Sequence, residues 1–298
     1  MSQPPPVLDD EYAIKVSGLV KSFDGTVVLK GVNLNIRRGE TMVIMGGSGS
    51  GKSTLLRCMI GSLPFDAGKI EILGQDISEI SEEEMNRVRQ DFGILFQSGA
   101  LFNSMTLREN VALPLQEHRD LPQRTIDIMV KIKLEQVGLR EHADKYPAEI
   151  SGGMKKRAGL ARALALDPKI LFYDEPSAGL DPITSAQIDQ LILNLTKQLG
   201  VTSVVVTHEM DSAFTIADRM AMFDQGVMLA VEDKAYFQRI RDSDVGGDDV
   251  EALIRQFLRG DPVGPFTKSM GRSDYLKDLF VGLKHGVPCP SIQPTRRR

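Results

Sequence analysis

The stretch Thr41-Met42-Val43-Ile44-Met45-Gly46-Gly47-Ser48-Gly49-Ser50-Gly51-Lys52-Ser53-Thr54 decides how the rest of the chain is read. Its first five residues are apolar or β-branched and end at glycines, the pattern of a short buried parallel strand. Gly46 to Thr54 fit GxxxxGK[ST], a phosphate loop, set between that strand and a helix expected from about Lys52 to Gly61. Glycines let the backbone wrap phosphates, so that successive N–H groups point inward at a helix N-terminus. In this pattern Lys52 reaches the β and γ phosphates, and the Ser53 hydroxyl can ligate Mg²⁺. A merely flexible Gly/Ser-rich loop is the alternative, and a full match in register between strand and helix argues against it.

Working outward, Ile170-Leu171-Phe172-Tyr173-Asp174-Glu175-Pro176 is an apolar strand that delivers two adjacent carboxylates at its C-terminal end. Ligands bind at that end in open α/β sheets. Downstream of a phosphate loop, Asp174 is expected to hold Mg²⁺, directly or through water. Glu175 is then expected to polarise the attacking water. Upstream, YAIKVSGLV and VVLKGVNLNI read as strands broken by the turn signal Asp24-Gly25. Ser203 to Val206 gives another buried strand, after a helix near Thr184–Leu199, while residues 79 to 166 read as mostly helical and 232–260 as helical with a loop at 246–249. The alternation predicts an α/β fold with a parallel core sheet and a helical insertion.

A third motif, Ile150-Ser151-Gly152-Gly153-Met154-Lys155-Lys156-Arg157, opens a basic helix with Ser-Gly-Gly, itself an anion site made of backbone N–H groups and a helix dipole. Alone it would be a helix cap. Flanked by both phosphate motifs, it resembles the signature of the ATP-binding-cassette (ABC) family, usually written LSGGQ. The resemblance covers about residues 12–260 and implies further roles. Gln97, in Leu95-Phe96-Gln97-Ser98, matches the glutamine that contacts Mg²⁺ and senses the transmembrane partner. Asp181, in Ala178-Gly179-Leu180-Asp181, matches the loop that crosses to a second subunit. His208, after VVVT, matches the switch histidine on the γ phosphate. Phe23 matches the aromatic that stacks on adenine, where the family more often has Tyr. Two departures stand out: Ile150 replaces Leu, and Met154 replaces Gln, which removes a polar contact near the partner-bound nucleotide.

The implied fold is a RecA-like core with an antiparallel β subdomain at residues 12–40 and a helical subdomain near 98–165. The implied assembly is a homodimer sandwiching ATP between Lys52 of one subunit and Ser151, Gly152 and Gly153 of the other. More specific strings, FGILFQSGALF (92–102), NVALPL (110–115), SGGMKKRAGLARALALDP (151–168) and Asp181-Pro182-Ile183-Thr184, look like the ATPase subunit of Mla/Mce-type lipid transporters. That likeness implies an MlaE-like integral permease, an MCE-domain lipid-binding protein, and phospholipid moved between membranes. Leu101, Phe102 and Met105 are then expected in the groove that receives the permease, the alternative being core of the helical subdomain. A soluble non-transport cassette, a phosphate-loop kinase and an importer of a polar solute compete with this reading. A kinase would lack Ser151-Gly152-Gly153, and one phosphate loop with two distant cysteines fits neither ribosomal nor DNA-repair cassettes.

Composition sets the outer bounds. The chain has 298 residues, 42% hydrophobic and 26% charged, the balance of an ordinary globular protein. Cys58 and Cys289 are its two cysteines, too few for a disulfide framework. A formal charge of −4 argues against a general nucleic-acid binder. The uncharged run from Phe92 to Leu107 is too short and polar to span a bilayer. MSQPPPVLDDEY has no basic or apolar segment of a secretory signal. Residues 1–11 read as a disordered lead-in. Any membrane role is therefore expected through partners, and the likeness to lipid-transporter ATPases implies the cytoplasmic face of an inner membrane. In the extension 261–298, Tyr275, Leu276, Leu279, Phe280 and Leu283 fall at helical spacing, a stripe expected to dock across the dimer, the alternative being docking on its own subunit.

Overall fold

A computed structural model describes residues 11–243, 248–262 and 264–265. The chain divides into two compact units, one through Arg239 and one from Ile240. The lead-in before Glu11 and the apolar stripe at 275–283 lie outside the described residues.

The first unit holds two sheets. β1 (Tyr12–Phe23) and β2 (Thr26–Arg37) form an antiparallel hairpin, with Phe23 paired to Thr26 across Asp24-Gly25. Both turn residues have positive φ, 47° and 80°, which matches the twist of a two-residue hairpin. β4 (Ala67–Ile72) and β5 (Gln75–Asp76) extend this sheet in the order β2-β1-β4-β5. The antiparallel part therefore reaches well beyond residue 40. Its second hairpin turns at Leu73-Gly74, a pair with no strong turn signature.

The larger sheet has the order β10-β9-β3-β8-β7-β6. β3 (Thr41–Met45), β6 (Phe92–Leu95), β7 (Ile170–Asp174) and β8 (Thr202–Val206) are parallel neighbours. β9 (Arg219–Asp224) also runs parallel to β3, and β10 (Val227–Asp233) closes the sheet antiparallel to β9. Every residue of β3 and of β8 is buried, as expected for strands covered on both faces. β6 interrupts the segment that reads as mostly helical. Its Gly93 lies against Leu171 and the Ala163 carbonyl, where a Cβ would come within 2.4 Å and 2.5 Å. β10 persists to Asp233, so the helical reading of 232–260 starts slightly later.

α1 (Lys52–Met59) follows the phosphate loop, and α2 (Glu82–Arg89) starts at a capping box in which Ser81 and Glu84 satisfy each other's backbone N–H. α3 (Leu107–His118), α4 (Gln123–Gln136) and α5 (Gly152–Ala163) pack on one another, and α5 also packs on β6. α6 (Pro182–Leu199) and α7 (Met210–Ile216) follow β7 and β8. One buried cluster joins both sheets through α1: Ile14, Val16 and Leu19 share it with Leu55, Leu56 and Met59 and with Ile44, Phe172, Val204 and Phe223.

α8 (Lys234–Asp242) follows β10. In the second unit α9 (Asp249–Arg259) is capped by Asp248, whose carboxylate accepts from the Glu251 N–H at 2.8 Å. Arg255 and Arg259 donate to the carbonyls of Ile240 and Arg241 at 3.2 Å and 2.6 Å.

Because Leu55 is fully buried in the cluster that joins the sheets, Leu55→Ala should destabilise the chain by about 2–5 kcal/mol. Urea denaturation followed by circular dichroism measures this, and an unchanged midpoint would contradict the packing.

Candidate active site

Strand order dictates where the motifs meet. β3, β8, β7 and β6 lie side by side and point the same way, so the loops after them leave one edge of the sheet. They carry Lys52, His208, the Asp174-Glu175 pair and Gln97 in that order.

In the phosphate loop Gly46, Gly49 and Gly51 have φ of 155°, 74° and 110°, backbone that L-residues with a Cβ rarely adopt. A Cβ on Gly46 would sit 1.9 Å from the Phe223 carbonyl oxygen. Gly47, Ser48 and Gly49 form the open side of the loop. Gly51 caps α1 without a side-chain hydrogen bond, and the helix has no acid in its first turn. Its N-terminal N–H groups are therefore offered to an anion, with Ser53 exposed and Thr54 half-buried on the first turn. The Ser50 hydroxyl is buried and has no hydrogen-bond partner. The Lys52 ammonium is also buried, and donates to the carbonyls of Gly46 and Gly47 at 2.8 Å each. Burial pulls its pKa down, while Glu175 and Asp174 hold it up.

The two carboxylates differ. Asp174 ends β7 half-buried, and burial together with the Glu175 charge raises its pKa against the opposing pull of Arg57, Lys156 and Lys52. Glu175 follows with φ of 51°, a strained value for a residue with a side chain. Its N–H donates to the Val206 carbonyl at 2.9 Å, and its own carbonyl accepts from the Lys156 Nζ at 2.8 Å. Thus turned, Glu175 Oε1 lies 2.9 Å from His208 Nδ1, and Oε2 accepts from the His208 backbone N–H at 3.4 Å. The structure brings the expected base and the expected switch histidine into direct contact.

Gln97 is exposed just past the end of β6, beside the strand that ends in Asp174. Phe23 lies 43% exposed at the end of β1, with the Lys21 ammonium 5.3 Å from its ring centroid, so it is a surface aromatic and not core. Ser151 caps α5, its Oγ accepting from the Met154 N–H at 3.3 Å. Gly152 is exposed, and Gly153 is pressed against α6, where a Cβ would meet Thr184 at 2.4 Å. Asp181 caps α6 through the N–H groups of Ile183 and Thr184, and the Thr184 hydroxyl together with these N–H groups holds its carboxyl below the ordinary value.

Two residues that the motifs did not single out also bear on the site. Lys156 is buried beside Asp174, Glu175 and Glu209. Arg162, six residues or about 1.7 turns further along α5, donates to the carbonyls of Ala100 at 2.7 Å and Gly99 at 3.2 Å, just after Gln97. The sequence signal was the basic helix after Ser-Gly-Gly, which reads equally as a dipole effect.

Two outcomes follow from these environments. Ionised Asp174 is costly in the folded chain, because its folded pKa lies above the unfolded value. Asp174→Asn should therefore raise the melting temperature at neutral pH, and the gain should vanish as pH falls below the ordinary aspartate value near 3.8. Scanning calorimetry across pH checks the sign. Gly46→Ala should abolish binding of a fluorescent ATP analogue, whereas Gly49→Ala, with nothing within 4 Å of its Cβ, should cost about 1–2 kcal/mol of backbone strain.

Comparison with known proteins agrees with this geometry. A family model described as ABC transporter matches residues 29–178, about half of the chain. A Mycobacterium leprae protein described as the probable ribonucleotide transport ATP-binding protein mkl is 44% identical over 257 residues, 86% of this chain and 72% of that protein. The Haemophilus influenzae intermembrane phospholipid transport system ATP-binding protein MlaF is 40% identical over 272 residues, 91% of this chain and 99% of that protein. Its Escherichia coli K12 counterpart is 40% identical over 255 residues, 86% and 91%. Among solved structures, the dimeric ATP-binding cassette MJ0796 in a post-hydrolysis state bound to ADP and Pi aligns with TM-score 0.69 and 32% identity over 74% of this chain and 98% of that one. CbiO1 from Clostridium perfringens, part of the transporter complex cbiONQ, aligns with TM-score 0.71 and 32% identity, covering 78% and 95%. On family model, relatives and fold together, the chain belongs to the ABC transporter family, as one of its ATP-hydrolysing cassettes.

Proposed function

We propose that this cassette works as a homodimer that powers phospholipid transport between membranes through an MlaE-like permease and an MCE-domain partner. One observation carries the lipid reading: the chain is nearly coextensive with the phospholipid transport ATPase of Haemophilus influenzae, matching 99% of its length. A second reading, transport of a polar solute, is favoured by the mkl relative, which is 44% identical and is described as a probable ribonucleotide transport ATP-binding protein.

The site suits a nucleoside triphosphate. Three glycines at positive φ, the uncapped start of α1 and the unpartnered Ser50 hydroxyl make a cradle of donors, and Lys52 is held there by two neutral carbonyls that it can exchange for charged phosphate oxygens. Phe23, exposed at the end of β1, would stack on adenine. Among the described residues no three His, Cys, Asp or Glu side chains are grouped so as to hold a metal ion by themselves. A divalent ion here would rest on Asp174, Ser53, Gln97 and phosphate oxygens. This hard-oxygen donor set fits Mg²⁺. When bound, that ion neutralises charge on the transferring phosphoryl group.

Hydrolysis is then mostly a matter of positioning. Glu175 orients a water and takes its proton. His208 fixes the carboxylate through two contacts and, as the switch histidine, would address the γ phosphate. Ser151, Gly152 and Gly153 address the nucleotide held by the opposite subunit, and Asp181 and its loop cross to that subunit. Closure on ATP and reopening after hydrolysis form the two-state switch that the permease reads. Among the described residues no helix is long and apolar enough to cross a membrane, so the cassette would reach the bilayer through that permease, at its cytoplasmic face.

The permease-docking surface follows from the loop after Gln97. Phe96 and Phe102 are 41% and 50% exposed, while Leu101 and Met105 are partly buried. Asn110, fully buried, clamps this loop: its Oδ1 accepts from the Phe102 N–H at 2.8 Å, and its Nδ2 donates to the carbonyls of Phe102, Met105 and Thr106. A rigid loop presenting aromatic side chains suits a helix-binding groove.

Glu175→Gln should lower turnover by about 10²-fold or more while ATP binding persists. A steady-state phosphate-release assay beside nucleotide binding checks this; near-normal turnover would remove Glu175 from its role. Phe102→Asp should lose the permease on co-purification from native membranes without changing the melting temperature. Mass spectrometry of the wild-type complex should find phospholipid and an MCE-domain protein. Stimulation of the reconstituted ATPase by ribonucleotides, with no response to phospholipid, would favour the polar-solute reading.

A further inference from the structure

Lys156 is 5% exposed, yet its ammonium is not spent on a carboxylate. Its Nζ donates at 2.8 Å to the main-chain carbonyl of Glu175, although Glu175, Glu209 and Asp174 are all near enough to be felt electrostatically. Burying a cation costs several kcal/mol, and a similar-sized apolar side chain would avoid that cost. The acceptor explains the choice. Glu175 stands at φ of 51°, and two hydrogen bonds hold its peptide groups there, one to β8 through Val206 and one from Lys156.

Lys156 also lies on the helix that begins with the signature. Ser151 is its N-cap, five residues earlier, or about 7.5 Å along the axis at 1.5 Å per residue. Near the other end, Arg162 grips the carbonyls of Gly99 and Ala100. Between them the helix packs so closely on this turn that a Cβ on Gly159 would come within 2.8 Å of the Gly99 oxygen. α5 is therefore a rigid rod with one end at the signature, its middle on the base and its far part on the loop after Gln97.

We propose that Lys156 is a positioning residue that couples the two ATP sites of the dimer by tying the signature helix of each protomer to that protomer's own Glu175. The inference rests on the proposed assignment of Glu175 as base and of the signature to the opposite nucleotide. In that arrangement Ser151 senses ATP in one site while Glu175 of the same chain acts in the other. A displacement of α5 when the signature engages nucleotide is passed by the Lys156 ammonium to the Glu175 carbonyl, and so to the direction of its side chain. The coupling is mechanical and lies within one chain.

The test compares wild type, Lys156→Met, Lys156→Gln, Lys156→Arg and Glu175→Gln as full-length chains. Turnover is measured against ATP concentration, affinity with a fluorescent ATP analogue, and folding by melting temperature. Lys156→Met and Lys156→Gln should lower kcat about tenfold or more, the scale expected when a catalytic group is slightly misplaced. Their KM and analogue affinity should stay within about twofold of wild type, because the phosphate loop is untouched. If the two sites are coupled in this way, wild type should show a sigmoidal ATP dependence, Lys156→Met and Lys156→Gln should lose it, and Lys156→Arg should restore both rate and cooperativity.

Cooperative, near-normal turnover in a folded Lys156→Met or Lys156→Gln chain would overturn the proposal. So would a loss of nucleotide affinity in parallel with kcat that Arg fails to rescue, which is the behaviour of a purely structural side chain. Should Glu175→Gln itself keep turning over, the assignment of the base fails first, and the coupling falls with it.

Discussion

Everything the cassette does depends on four parallel strands whose loops must leave the same edge. With β3 and β8 buried along their whole length, a slip of one residue in either would move every side chain between the two faces of the sheet. That register is what sets Ile44 beside Val206 and Val206 beside Asp174. Phosphate loop, histidine, carboxylates and glutamine follow within a few residues of those pairs. No loop needs to find its neighbour; the hydrogen-bond ladder has already done so.

The strain in the site is concentrated where the chemistry is. Glu175 could relax by a rotation of its backbone, and the Val206 and Lys156 hydrogen bonds oppose that rotation. Lys52 and Asp174 are each pushed toward neutrality by burial, and each counteracts this in the other. Such a cluster is poor for stability in isolation and well suited to a polyanion accompanied by a cation, which lets every one of these groups keep its charge.

Much of this was legible in the sequence because the motifs are local and chemically loud. TMVIM before the glycines, ILFY before Asp174 and SVVV before Thr207 read as buried strands, and their loops carried the candidate site intact. What escaped was structure without local signal. The β4–β5 and β9–β10 hairpins turn on Leu73-Gly74 and Gln225-Gly226, whose first residues sit at φ of 51° and 45° with no Asp or Asn to announce them. β6 is four residues long and was lost in helical surroundings, since nothing in FGIL shows that Gly93 must slide under the Ala163 carbonyl. Lys156 was visible only as positive charge. Its acceptor is a main-chain oxygen 19 residues away, and sequence patterns do not display main-chain oxygens.

The grip of Arg162 on the turn after Gln97 has a bearing on how such proteins diversify. Both of its bonds end on carbonyl oxygens, of Gly99 and Ala100, and the clamp from Asn110 likewise holds the carbonyls of Phe102, Met105 and Thr106. Main-chain atoms are common to all residue types. The shape of this outward-facing loop is thus insulated from the identity of the side chains it displays. If this loop receives the permease as proposed, Phe96, Leu101 and Phe102 can be exchanged to suit a different partner while the backbone behind them keeps the same anchorage.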